Sequence, residues 1–586
     1  MLAMVEDHSP ANQKPGIPGA LRYVQFSVQT FNYTHVKSYN IQVRFTCFFI
    51  NHRLLGEIVA FHLKHKTNVI ERHFSRRFQV ALIGEGLLVG LLGGGVVTLY
   101  RLCLSFAEAQ MRSITQSIAG NWPYMALWFG VLIILMAAVC LLMKFEPYTA
   151  GSGIPQTNAE VMGSADMPWY RVLPVKFIQG VLVAFGGLSM GREGPAVQLG
   201  AVSGKAVSKF LKRKRGEERL LVTCGAAAGM SAAFHAPLTG TLFAIEEIQK
   251  EFHAPLIISA MTASVGADFL VSNVLGMKPV LQLPYVAPLP HVDFAFVLIV
   301  GFICGLLGAL HNKGMFFAQG LYKKITKFAP FSRLIIPFML AGIMAFIWPD
   351  LLCGGDAIIE KIKEPATLTE LMVIALLLGK YFFTTTCFAA GTPGGTLFPM
   401  VVMGTLVGTL FALVATHVFG IPMAYAPNFI AMGVAGIFAG AVRAPVTGVV
   451  LIFELTGSLE ALMAMSAVAI VSYVTANILR VDPFYEHLLA EFLASQQGES
   501  KPTLDSGEKI LHEFTIGQGS PVEGKLLQDI PWPDKVRVVT IDRAGLEIIP
   551  TGQTELMALD KILVIFDEMY ESDVMIKLNV MTDSSV

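Results

Sequence analysis

The sequence predicts an all-α polytopic membrane protein with broken helices, followed by a small α+β soluble domain at the C-terminal end. Three observations predict this. Of 586 residues, 54% are hydrophobic and only 15% are charged, with 43 Lys+Arg against 43 Asp+Glu and a formal net charge of zero. Soluble domains carry roughly 25% charged residues, so this composition excludes a disordered chain and a strongly basic nucleic-acid binder. Second, long apolar runs of membrane-spanning length fill the chain from Phe78 to about Phe492. Third, the composition turns polar after about Ser495 and then takes on the short alternating runs of strands.

Residues 1–77 are polar to mixed and carry no signal-peptide pattern. The basic stretch His62–Arg77, with Lys64, Lys66, Arg72, Arg76 and Arg77, precedes the first apolar run and favours a cytoplasmic N-terminus. The transmembrane region is expected over 78–494. Long spans are predicted at 78–104, 123–143, 171–190, 254–275, 292–312, 333–348, 368–388, 397–419 and 459–479. Between them lie apolar pieces too short, or too interrupted by Gly and Pro, to cross simply: 151–163, 193–210, 219–233, 237–249, 428–440 and 445–456. Such breaks are tolerated in a membrane where backbone lines a protein cavity, which points to a transporter or channel rather than an anchor. The seven cysteines show no CxxC spacing and sit mostly in apolar runs, so neither a metal site nor a disulfide framework is expected.

The chain repeats itself. Ala236-Pro237-Leu238-Thr239-Gly240 parallels Ala444-Pro445-Val446-Thr447-Gly448, and Gly225, Ala227 and Glu246 align with Gly433, Ala435 and Glu454 at the same offset of 208. Pro195, Gly200 and Gly204 parallel Pro399, Gly404 and Gly408 at an offset of 204. Two homologous halves follow, about 78–275 and 291–480. If each crosses the membrane an odd number of times, they are inverted; sequence does not decide that parity. Glu246 and Glu454, present in both halves, are expected to serve packing or hydrogen bonding.

Residues 495–509 read as a linker. Within 510–586, Ile510–Ile516, Val536–Ile541, Leu546–Ile549 and Ile562–Phe566 read as strands. Gly524-Lys525-Leu526-Leu527, Pro550-Thr551-Gly552-Gln553-Thr554 and Asp560-Lys561-Ile562-Leu563-Val564 resemble the TrkA-C (RCK-C) regulatory module. The resemblance implies an α+β domain that often pairs with itself and is a candidate for binding a small-molecule ligand. The alternative is a fold-stabilising tail.

Four segments place Gly or Pro at an expected helix start: Gly151-Ser152-Gly153-Ile154-Pro155, Gly191-Arg192-Glu193-Gly194-Pro195, Gly394-Gly395-Thr396-Leu397-Phe398-Pro399, and the approach to Tyr485. Helix N-termini expose unpaired N–H groups and about half a positive charge, so they bind anions without a full cation. Such a site suits fast anion passage, because a buried Lys or Arg would hold the ion too firmly.

These motifs, GSGIP, GREGP and a GGxxxP written here as GGTLFP, resemble in order and spacing those of the CLC family of chloride channels and chloride/proton exchangers. The resemblance covers about residues 78–492 and implies the inverted-repeat CLC fold, a homodimer and one anion pathway per subunit. It implies that Ser152 and Tyr485 contact the central chloride through their hydroxyls, and that Thr396 and Leu397 offer backbone N–H groups. GGTLFP departs from the commoner GGIFAP, which leaves the contacts of Leu397 and Phe398 open. Glu193 matches the gating glutamate, whose carboxylate occupies an anion site and leaves it on protonation. Glu247 matches the inner proton-transfer glutamate of the exchangers, which channel members generally lack. An intramembrane carboxylate is a functional candidate in its own right.

The expected function is therefore chloride/proton antiport, with a passive chloride channel as the alternative within the family and fluoride export disfavoured by Ser152. No enzyme chemistry and no cofactor are expected. The partners are chloride, protons, a second copy and membrane lipid, without nucleic acid, and the expected location is the inner membrane with both termini cytoplasmic. Two other patterns are weaker. Gly187-Leu188-Ser189-Met190-Gly191 fits G-x-S-x-G, but a hydrolase elbow needs a soluble strand–turn–helix context. Lys212-Arg213-Lys214-Arg215 reads as a cytoplasmic loop.

Overall fold

A computed structural model describes residues 76–276, 294–325, 328–457, 462–496, 509–533, 536–567 and 570–583. The N-terminal expectations up to residue 75 and most of the expected linker lie outside the described residues.

The first half runs α1 Arg76–Ile118, α2 Trp122–Phe145, α3 Ile154–Val161, α4 Trp169–Phe185, α5 Glu193–Phe210, α6 Arg215–Phe234, α7 Pro237–Phe243 and α8 Ala254–Leu275. The second runs α9 Phe294–Lys323, α10 Phe331–Ile347, α11 Asp356–Ile362, α12 Glu370–Ala389, α13 Leu397–Phe419, α14 Ala426–Ala441, α15 Pro445–Thr456 and α16 Leu462–Ile478, followed by α17 Phe484–Gln496. Among the described residues, seven helices are long and apolar enough to cross a membrane.

Helix α1 spans 43 residues, well past the 78–104 predicted for it. Arg101, Glu108 and Arg112 end the apolar run but not the helix; beyond Arg101 no Gly or Pro occurs until Gly120, which takes φ +84. Helix α9 outruns its predicted 292–312 in the same way, continuing to Lys323. Helix α4 stops earlier than predicted, at Phe185, where Gly186 and Gly187 (φ +73) turn the chain.

The two halves pack alike. Helix α5 lies against α6, and α1 against both α8 and α6; their repeat mates α13 on α14, and α9 on α16 and α14, do the same. Glycine makes the closest of these contacts feasible: a Cβ on Gly200 would lie 2.1 Å from the Gly225 carbonyl oxygen, and one on Gly433 would lie 2.4 Å from the Gly404 carbonyl oxygen.

The inversion is visible where α7 meets α15. Glu246 accepts from the Thr447 amide (2.8 Å) and hydroxyl (2.6 Å), at the start of α15. Glu454 accepts from the Thr239 amide (2.7 Å), the Thr239 hydroxyl (2.6 Å) and the Leu238 amide (2.8 Å), at the start of α7. Each glutamate follows its own helix start and caps the other's, so the equivalent helices run antiparallel and the halves are inverted. A second pair of mates follows the repeat. Lys176 on α4 donates to the carbonyls of Thr149 (3.0 Å) and Gly151 (2.8 Å), and Lys380 on α12 donates to those of Leu351 (3.1 Å) and Cys353 (2.7 Å).

The C-terminal part forms one four-stranded sheet, in the order β1-β4-β2-β3. Its strands are β1 Lys509–Thr515, β2 Arg537–Arg543, β3 Leu546–Ile548 and β4 Lys561–Asp567, and helix α18 Glu571–Thr582 follows them. All three pairings are antiparallel. Period-2 apolar residues on β4 (Ile562, Val564, Phe566) pack with Phe514, Ile541 and Leu578 into a core of their own. This domain rests on the membrane part through Glu571, which is 3% exposed and pairs with Arg219 and, at 3.8 Å, with Arg215.

Candidate anion site

Helix starts converge on the middle of the membrane part. Gly153, at φ +95, is the N-cap of α3, a left-handed conformation that suits glycine and leaves the side chain of Ser152 outside the cap. Lys176 fixes this loop through the carbonyls of Thr149 and Gly151. The starts of α5 and α13 are tied together by Gly191 and Gly395, which exchange backbone hydrogen bonds of 2.6 and 2.9 Å. The loop of Ser152 joins the same cluster, because the Gly394 amide donates to the Gly151 carbonyl at 2.9 Å. Gly194 sits at the centre: a Cβ there would lie 2.5 Å from Ser152 Oγ and 3.1 Å from Gly395 Cα. Gly194 and Gly395 are thus required by the close approach of backbones, and Gly151 and Gly153 by their positive φ.

Around this cluster the polar side chains are buried and unpartnered. Ser152 Oγ, both carboxylate oxygens of Glu193, Thr396 Oγ1 and Tyr485 Oη reach neither water nor a hydrogen-bond partner. Tyr485 is fully buried at the start of α17 and stacks edge-on against Phe243 and Phe484. Its hydroxyl lies beside Thr396. The Glu193 carboxylate lies over the start of α13, near the Phe398 amide. Each buried, unsatisfied polar group costs about 1–3 kcal/mol. Several together would consume much of the roughly 5–15 kcal/mol that holds a domain folded. A cluster of hydroxyls and helix-start amides is completed by an anion. Phe398 is a residue that sequence reasoning left open, and its position, second in α13, was the available signal.

Glu247 lies apart from this cluster. The chain from Ala244 to Gln249 is a single π-helical turn, a wider winding that often marks function. It sends Glu246 outward to cap α15 and leaves Glu247 5% exposed, with Oε1 unpartnered. Asn158 of α3 donates to the Glu247 carbonyl at 3.2 Å, so the helix that begins beside Ser152 also touches the turn that carries Glu247. At its far end α3 is held by Glu160, which accepts from Lys205 and from the Met167 amide, each at 2.5 Å. Asn158, Lys176 and Lys205 are functional-site neighbours that motif reading missed. The signal for the two lysines was a charge inside an apolar run.

Arg192 stands beside Glu193. Its Nε is 3.7 Å from Glu193 Oε1 and its Nη2 is 4.0 Å from Asp356 Oδ1, while the guanidinium lies 5.3 Å over the Phe398 ring. Ser189 of the G-x-S-x-G pattern is fully buried and shares a 2.8 Å hydrogen bond with the Thr384 hydroxyl. Its partner there is a hydroxyl rather than the base that would activate a nucleophile.

Comparison with known proteins agrees with this geometry. The family described as voltage-gated chloride channel matches residues 129–477. The H(+)/Cl(-) exchange transporter ClcA of Vibrio cholerae serotype O1 (strain M66-2) is 31% identical over 446 residues, 74% of this chain and 94% of that protein. The chain belongs to the voltage-gated chloride channel family. A protein of the same name from Salmonella agona is 31% identical over 432 residues, covering 72% of this chain and 90% of its own. Among solved structures of the family, a slow cyanobacterial Cl-/H+ antiporter aligns with a TM-score of 0.67 at 25% identity, over 71% of this chain and 99% of that one. A CLC-type fluoride/proton antiporter shares the fold, with a TM-score of 0.56 at 23% identity. The TrkA-C domain matches residues 511–568, over the four-stranded sheet.

Proposed function

We propose that the protein is a chloride/proton antiporter of the family. The observation that carries this reading is the pair of buried carboxylates, Glu193 at the joined helix starts with neither oxygen hydrogen-bonded, and Glu247 on the π-turn with Oε1 likewise free of a hydrogen bond. A conduit for chloride alone needs no second buried acid. Chloride is held by the hydroxyls of Ser152 and Tyr485 and by the amides of Thr396, Leu397 and Phe398, with helix-end partial charge in place of a cation. Ionised Glu193 occupies the anion position. Protonation removes its charge and lets chloride replace it, which couples the two ions. Glu247 exchanges protons with the other side. The relatives named as H(+)/Cl(-) exchange transporters support this over a passive channel.

The protein acts in the inner membrane as a homodimer, with the C-terminal domain on the cytoplasmic side beside the basic loop Lys212–Arg215. That domain serves as a regulator and a candidate receptor for a small ligand, and the chain has no enzymatic role. Reconstituted into liposomes, the protein should move protons uphill when a chloride gradient is imposed. Chloride flux with no proton movement would establish the channel reading instead.

A further inference from the structure

The face of the molecule opposite the C-terminal domain holds a second set of carboxylates that the transport cycle above does not use. The side is fixed by α1. Near its start, Glu85 pairs with Arg213, next to the arginine that contacts the C-terminal domain. Glu108 lies about 35 Å further along the same helix, at 1.5 Å per residue. There a cavity of about 20 Å³, room for one water, is lined by Tyr100, Glu108, Arg192, Asp356 and Phe398.

Exposure falls inward across this region. The Asp356 side chain is 48% exposed, Glu108 is half-buried, and Glu193 is fully buried. One guanidinium, that of Arg192, reaches both the outermost and the innermost of these carboxylates. Polar groups border the cavity: Tyr100 is 1% exposed and its hydroxyl sits against Gly180, which also lines the cavity; a Cβ on Gly180 would lie 2.0 Å from Tyr100 Oη. A polar cavity of this size admits a water, which would join Tyr100 to the carboxylates around it.

We propose that Glu108 and Asp356 are the outward-side proton acceptors of the exchanger, collecting protons from bulk water and passing them through the cavity beside Arg192 to Glu193. This rests on the exchange reading above. A proton leaves hydronium for a carboxylate oxygen of Asp356 or Glu108, crosses through the cavity water, and ends on a carboxylate oxygen of Glu193. No bond other than O–H is made or broken. Other ionisable groups face the pair: Arg192 at the start of α5, Arg112 one turn beyond Glu108, Cys353 before α11, and Lys380 from α12.

The test is chloride-driven proton pumping in liposomes by the full chain, wild type against Glu108→Gln/Asp356→Asn. The double variant should lose about tenfold in proton flux near neutral pH, the low end of what a positioned acid–base group contributes. Chloride flux should be retained, and acid should restore pumping because hydronium then reaches Glu193 directly. Restoring Asp356 in combination with Glu108→Asp should recover pumping at neutral pH, which a merely structural role would not predict. Wild type that pumps no protons overturns the exchange reading and this inference together. Wild type that pumps while the double variant pumps equally well, with the same pH profile, overturns this inference alone. Loss of chloride flux along with proton flux also overturns it, since the pair would then be holding the pathway in shape.

Discussion

On the proposed reading a single side chain, Glu193, is both gate and proton carrier, and that dual role makes its replacement informative. Glu193→Ala removes the carboxylate but leaves the joined glycines and helix-start amides in place. Chloride flux should persist and proton coupling should vanish, which paired chloride and pH electrodes on liposomes can read. Coupling that survives would refute the role. Glu247→Gln keeps the size of the side chain and its place on the π-turn, so proton movement alone should stop; protons that still move would transfer the role to another acid. Much of this site is legible in sequence because its requirements are local: close backbone approach and left-handed turns demand glycine, and GSGIP, GREGP and GGTLFP show it. The supports are not legible in the same way. Lys176 and Asn158 act through carbonyls 25 and 89 residues away, and no local spacing reports such a partner.

Between helices, the contacts that matter most are those where one half completes the other. Glu454→Ala leaves the Leu238 and Thr239 amides without an acceptor at the start of α7. The loss of a cap costs typically about 1 kcal/mol, and up to about 2. Glu246→Ala should cost about as much at α15, because the bonding is mirrored. Thermal unfolding in detergent should show the two single variants destabilised to similar extents, whereas an asymmetric result would mean that the two caps are not equivalent. The repeat itself was readable from Ala-Pro-x-Thr-Gly, but its handedness was not. Inversion depends on which helix each glutamate faces, and that is a tertiary fact. Element ends were misread for an allied reason. Hydropathy marks where a helix leaves the apolar layer, and α1 continues through Arg101 and Glu108 because its backbone hydrogen bonds are indifferent to that boundary.

Across the whole molecule, a soluble domain with its own core is attached to a membrane part through few but charged contacts. Inside that domain Asp560 is 1% exposed and held bidentately by Arg543, at 2.8 and 2.7 Å, with the Met557 amide at 2.8 Å. Burial disfavours its charge, but the Arg543 hydrogen bond, the Met557 amide and the Arg543 charge together hold the carboxyl below the usual aspartate value. Its stabilisation is therefore complete above the unfolded value and is lost as pH falls through the lowered folded value. Asp560→Asn should cost about 2 kcal/mol at neutral pH and flatten that acid loss. Hydrogen exchange on β4 in the full-length protein can measure both, and an unchanged acid profile would show that other groups set it. The reciprocal caps also bear on how the chain is made. Glu454 follows Leu238 by 216 residues, so at roughly 5–20 residues per second a ribosome needs about 10–40 s to supply it. Throughout that interval the Leu238 and Thr239 amides lack the acceptor that the second half supplies, so the first half cannot complete its own helix start until its twin arrives.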